Sequence, residues 1–142
     1  MAPRLLALAL LLAVAAPRGA PAGDTRLVVI VHPDRRIALD PEDVARIYLR
    51  RQRFWEDGAP VVPINLPSGS ALRERFSRRV LRQSESRLAE YWNRRYFDGV
   101  LPPPTLASTE AVRRYVADDR NAVGYVPETE LDGTVRVLFP VE

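Results

Sequence analysis

Small hydroxyl, amide and basic residues gather in Asn65-Leu66-Pro67-Ser68-Gly69-Ser70-Ala71-Leu72-Arg73. A short apolar run, Val61-Val62-Pro63-Ile64, leads into this stretch, and Leu72, Phe76 and Val80 recur every four residues after it. The pattern predicts a strand, a sharp corner and an amphipathic helix. Gly69 removes the Cβ penalty at such a corner, and Ser68 or Ser70 can cap the helix. The first N–H groups of a helix have no internal partner, so a hydroxyl-rich corner there can cradle an oxyanion, with Arg73 and Arg75 adding positive charge. The same residues also describe an ordinary serine-capped helix start, and the corner alone does not separate the two.

Other chemistries find little support. His32, the only histidine, follows the strongest strand signal and can contribute a hydrogen bond or a pH-dependent charge to the anion site, or serve structurally before Pro33. With one histidine and no cysteine there is no metal-ligand spacing, no thiol nucleophile and no disulfide framework. Ser68-Gly69-Ser70 lacks the Gly-x-Ser-x-Gly nucleophile elbow, so no catalytic residue, cofactor or metal is expected. Glu56-Asp57 and Asp118-Asp119 are acid pairs in turn-like stretches, where they solvate the turn.

The elements that must position the corner read as an alternation. Leu27 to Val31 is a dense β-branched run suited to a central strand buried on both faces. Asp40-Pro41-Glu42-Asp43 opens a helix with a capping aspartate, proline at the first helical position and acids in the first turn. Strand, helix and then the strand Val61 to Leu66 predict a right-handed crossover between parallel strands. Ser84 starts a further helix ending at Asp98-Gly99, whose Tyr91, Trp92, Tyr96 and Phe97 are expected to pack. Ser108 starts another, with Ala111, Val112, Tyr115 and Val116 inward. Ala122 to Pro127 reads as a buried strand in which Gly124 marks a close backbone approach, and Thr134 to Phe139 as a last strand.

The chain has 142 residues and a formal charge of +3. Residues 1–22 have the layout of a secretory signal: Arg4, the apolar run Leu5 to Ala16, and Ala20-Pro21-Ala22 as a cleavage site. That run is shorter than the roughly 20 residues that span a membrane. Residues 23–142 then form one domain, close to neutral, in which arginines alternate with acids rather than forming a one-sided basic stripe, so nucleic acid is not an expected partner.

In their shared order these segments resemble a family. The strand ending Val31-His32-Pro33, the helix Asp43-Val44-Ala45-Arg46-Ile47-Tyr48-Leu49, Trp55-Glu56-Asp57-Gly58, Val61 to Asn65, Ser68-Gly69-Ser70 and Asn121-Ala122-Val123-Gly124-Tyr125-Val126 are similar to the phosphate-binding proteins of ABC uptake systems. The resemblance runs from about Leu27 to Pro127. It implies an α/β fold, a single periplasmic-binding-protein-like lobe with a mostly parallel central sheet flanked by helices, exported to the periplasm. It also implies phosphate or a similar oxyanion bound by Ser68, Gly69 and Ser70, with Asn65, Arg73 and His32 nearby. An ABC permease or another envelope protein is the implied partner. A chain this short holds one lobe of a two-lobed cleft, so a second copy or a partner would have to cover the site. The alternative is an interaction module that keeps the lobe and docks on an envelope or membrane partner without a ligand.

Overall fold

The computed structural model describes residues 25–142; the signal-like segment lies outside the described residues. Asp40 builds the start of helix α1 (Pro41–Tyr48): its side chain accepts from the Asp43 N–H, and the Asp43 carboxylate accepts from the Asp40 N–H. This is the reciprocal capping box. Ser84 and Ser108 cap α3 (Glu85–Phe97) and α4 (Thr109–Asp118) with single side-chain acceptors. Each of these starts lies where the polar cap and the apolar periodicity place it.

Four strands form one open sheet in the order β2-β3-β1-β4, where β1 is Leu27–Val31, β2 Val62–Pro63, β3 Ala122–Pro127 and β4 Arg136–Val141. All of β1 is buried. Helix α4 lies on β3, and Gly124 is where they meet: a Cβ there would stand 2.5 Å from Val112 Cγ1 and 3.2 Å from Val116 Cγ2. The close approach expected at Gly124 is therefore made by a helix.

The strand directions correct part of the expected topology. β2 and β3 are parallel, and Asn65 makes a further parallel bridge to Thr105. β1, however, is antiparallel to both of its neighbours, with Leu27 opposite Pro127 and Val141, and Val31 opposite Val123 and Arg136. The α/β lobe stands, but β1 and β2 are not a parallel crossover pair: β3 lies between them, and β2 runs opposite to β1. Both hydrogen-bonding sides of β1 are taken by strands from the far end of the chain, a choice that the apolar run itself does not encode.

After the corner, helix α2 (Ala71–Phe76) widens into a π-helical turn, Ser77–Leu81, which ends at Arg82 in the left-handed region (φ 54°). Phe76 and Val80 are buried and Leu72 packs on the core, as their spacing predicts. In α3 the expectation is only half met. Leu88 is buried and Tyr91 and Trp92 pack on the core, but Tyr96 and Phe97 are exposed because the last turn of the helix projects beyond it. Tyr115, expected inward on α4, is also exposed.

Candidate functional site

The corner is a turn closed by the Ser70 N–H on the Pro67 carbonyl at 3.2 Å, with Gly69 at φ 86°. A β-carbon is disfavoured at that angle, and nothing lies within 4 Å of the place it would occupy, so glycine serves the turn and leaves the space above it open. Ser70, in extended backbone, accepts from the Arg73 N–H at 3.4 Å and so caps α2. Ser68 is exposed and caps nothing. Among the described residues, the N–H groups of Ser68, Gly69, Ala71 and Leu72 donate to no protein acceptor. Ser68, Gly69 and Ala71 are exposed and Leu72 half-buried, so a row of unpaired donors marks the helix start.

The corner is held from behind. Asn65 is buried at the end of β2, bonded through its backbone to Pro104 and Leu106. Its side-chain oxygen accepts from the Tyr125 hydroxyl and from the Leu66 N–H (3.0 Å). Burial, the largest influence, pushes the Tyr125 hydroxyl well above the ordinary tyrosine range, so it remains a donor at every physiological pH. The Tyr125 ring stacks on Phe76, centroids 4.0 Å apart and 5° from parallel, tying β3 to α2 beneath the corner.

Arg73 does not extend over the corner. Its mostly buried side chain turns back, donating to the Leu66 carbonyl at 2.9 Å and approaching Glu85 at 3.6 Å, while Glu85 accepts from Ser77 Oγ at 3.0 Å. It joins the residues on either side of Pro67 to Ser70 and acts as a staple. Arg75 donates to the Thr25 carbonyl at 2.7 Å.

His32 is not part of this site. Asn65 lies beside Tyr125, level with Val29 in the middle of β1, and β2 runs toward the Leu27 end, whereas His32 follows Val31, opposite Val123. Because β1 is antiparallel to β3, His32 emerges at the other end, three residues past the level of Asn65, or roughly 10 Å along the strand. The expectation that placed it near the corner required β1 and β2 to be parallel. Its Nδ1 instead accepts from the Asp34 N–H at 3.1 Å.

At that second end the structure gathers residues that the sequence pattern did not single out together. The buried Arg35 donates through Nε to the Arg120 carbonyl (3.1 Å), through Nη1 to Asp57 (2.8 Å) and through Nη2 to Asn121 Oδ1 (2.8 Å). Its guanidinium lies 4.6 Å from the centre of the Trp55 ring, and Trp55 Nε1 donates to the Asn121 carbonyl. Asp57 is held below the ordinary carboxylate range, first by the Ala59 N–H and then by Arg35. Three loops are locked by one cation. The available signal was a tryptophan, an acid and an asparagine in separate turns, with nothing local to connect them.

Among the described residues no group of three or more histidines, cysteines or acids is placed to hold a metal ion, and no helix is long and apolar enough to cross a membrane. No base among the described residues is bonded to either serine hydroxyl of the corner. The arrangement can offer hydrogen bonds to an anion from one side.

No family model matches the chain, and neither does any curated protein. Solved structures do. A Clostridium perfringens protein assigned to the phosphate ABC transporter substrate-binding proteins, solved with bound phosphate, superposes over 80% of this chain and 44% of its own, with TM-score 0.66 at 19% identity. An ABC-type phosphate transport receptor from Vibrio cholerae gives 0.63 at 16% identity, over 80% and 45% of the two chains. PstS from Borrelia burgdorferi gives 0.61 at 15% identity, over 80% and 46%. The chain spans less than half the length of each of these structures. Its fold is that of a single lobe of the phosphate ABC transporter substrate-binding proteins.

Proposed function

We propose that this protein is an exported, non-enzymatic binding domain for phosphate or a similar oxyanion, of the ABC transporter substrate-binding type, and that the corner Ser68-Gly69-Ser70 holds the anion. The observation that carries this reading is the row of N–H groups at Ser68, Gly69, Ala71 and Leu72 with no acceptor among the described residues, beside a glycine whose β-carbon position faces open space. The hydroxyls of Ser68 and Ser70 add to it. Asn65 and Arg73 support the corner from behind, and His32 has no part in it.

An anion on one open face exchanges most of its hydration for a few charge-assisted bonds, worth about 1.5–3 kcal/mol each before the cost of ordering. The expected dissociation constant is on the order of millimolar. A second copy or an envelope partner that covers the corner would tighten it. Titration with phosphate and with sulfate, followed by backbone amide NMR, tests the site: the N–H signals of Ser68 to Leu72 shift first and saturate. No shift and no thermal stabilisation at tens of millimolar phosphate overturns the reading.

One observation favours docking without a ligand. Tyr96 (65% exposed) and Phe97 (88%) form an edge-to-face pair at the end of α3, with Leu101 also exposed. Exposed aromatic pairs of this kind are common anchors at protein interfaces. In that reading, phosphate leaves the corner signals unmoved, and Phe97→Ser abolishes association with an envelope partner.

A further inference from the structure

On the flank of the lobe, the π-helical turn after α2 borders a trough separate from the corner. Arg26, Arg75 and Arg79 line a hollow of about 340 Å³ together with Glu142. Arg79 and Glu142 also border an adjoining hollow of about 400 Å³ that adds Arg82, with an apolar floor that includes Val80, Phe139 and Val141. Arg79, Val141 and Glu142 line both, so the two hollows adjoin as halves of one basic trough. Its positive charge is little neutralised. Among the described residues neither Arg79 nor Arg82 has a carboxylate within 4.0 Å, Arg75 uses one N–H to anchor itself on the Thr25 carbonyl, and Arg26 reaches Glu128 only at 4.0 Å. Glu142 is the one acid among the described residues that lines it.

The backbone here departs from regular helix twice in succession, first in the π-helical turn and then at Arg82 in the left-handed region. π-helical turns occur disproportionately at functional sites, and a left-handed non-glycine residue persists only where its surroundings hold it. Guanidinium groups match phosphate oxygens in pairs, and these four come from before β1, from α2, from the π-helical turn and from its end. A single phosphate would meet only some of them. We propose that this trough is a second anion site, for a linear anion of two or more linked phosphate groups, and that Arg79, at the junction of the two hollows, is its central contact.

Inorganic tripolyphosphate is the probe, titrated calorimetrically at low salt into the full chain and three variants. Arg79→Ala removes an exposed side chain that makes no hydrogen bond or ion pair in the fold, and is expected to weaken binding about 5- to 10-fold. Glu142→Gln removes the opposing charge and is expected to tighten binding about 2-fold. Arg114→Ala makes the same change of net charge on α4 and is expected to leave affinity unchanged. Absence of binding at millimolar tripolyphosphate overturns the proposal. So does equal weakening by Arg114→Ala, which marks a general charge effect, and so does binding to phosphatidylglycerol vesicles without binding to tripolyphosphate.

Discussion

The two ends of the sheet are built in opposite ways. At the end where β1 finishes, Arg35 is buried under Trp55 and shared among Asp57, Asn121 and the Arg120 carbonyl, and every N–H that it aims inward finds an acceptor. At the other end, the N–H groups of Ser68, Gly69, Ala71 and Leu72 have no acceptor among the described residues, while behind them Asn65 and Tyr125 are bonded to each other and Arg73 donates through Nη1 to the Leu66 carbonyl, its buried Nε finding only the Glu85 carboxylate at 3.6 Å. One end spends its polar groups on closing loops. The other uses them to hold a corner whose outer face stays unspent. Polar groups bonded to each other stabilise a fold, whereas those left pointing to solvent from a rigid support remain available for a ligand.

Substitutions can break this contrast. The largest effect is expected from Arg35→Ala, which removes three hydrogen bonds and a cation–π contact: about 2–4 kcal/mol by urea denaturation. The phosphate response at the corner should survive in the folded fraction. A loss under 1 kcal/mol would show that this end is not a lock. Tyr125→Phe is next, at about 1–2 kcal/mol, because it leaves the buried Asn65 oxygen without its hydroxyl donor. Unlike Arg35→Ala, it should also blunt the amide shifts at Ser68 to Leu72, and a purely thermodynamic effect would uncouple the support from the corner.

Gly69→Ala should cost about 1 kcal/mol, from backbone strain alone, since an added methyl meets nothing. Gly69→Asn should recover part of that loss, because asparagine tolerates positive φ. A much larger loss would mean that the turn is packed rather than open. The smallest effect is pH-dependent. Asp57 titrates below the ordinary aspartate value of 3.8, so the stability it lends is present above that value and is lost as pH falls through its folded-state pKa. Asp57→Asn should therefore be less stable than the parent chain at neutral pH and converge with it below about pH 4, read from thermal midpoints across that range.

Much of the local structure was legible. The capping box at Asp40 and Asp43, the serine caps at Ser70, Ser84 and Ser108, the glycine turn at Gly69 and the buried run of β1 are all written within a few neighbouring residues. The candidate corner was legible for the same reason. The network around Arg35 was not, because its partners lie in three turns far apart in the chain, each of which looks solvated when read alone. Nor was the projecting end of α3: helical spacing reports a shared face for Tyr91, Trp92, Tyr96 and Phe97, but not where the core beneath that face ends.

By itself, then, the sequence determined the order of strands and helices, where each helix begins, and a hydroxyl-glycine corner with open donors. These follow from contacts between residues a few positions apart, which sterics and capping decide locally. The tertiary structure alone decided that β3 and β4 flank β1 and run against it, and with that it moved His32 to the far end of the sheet and turned Arg73 inward. A buried apolar strand can accept neighbours on either side and in either direction; packing of the whole chain makes the choice.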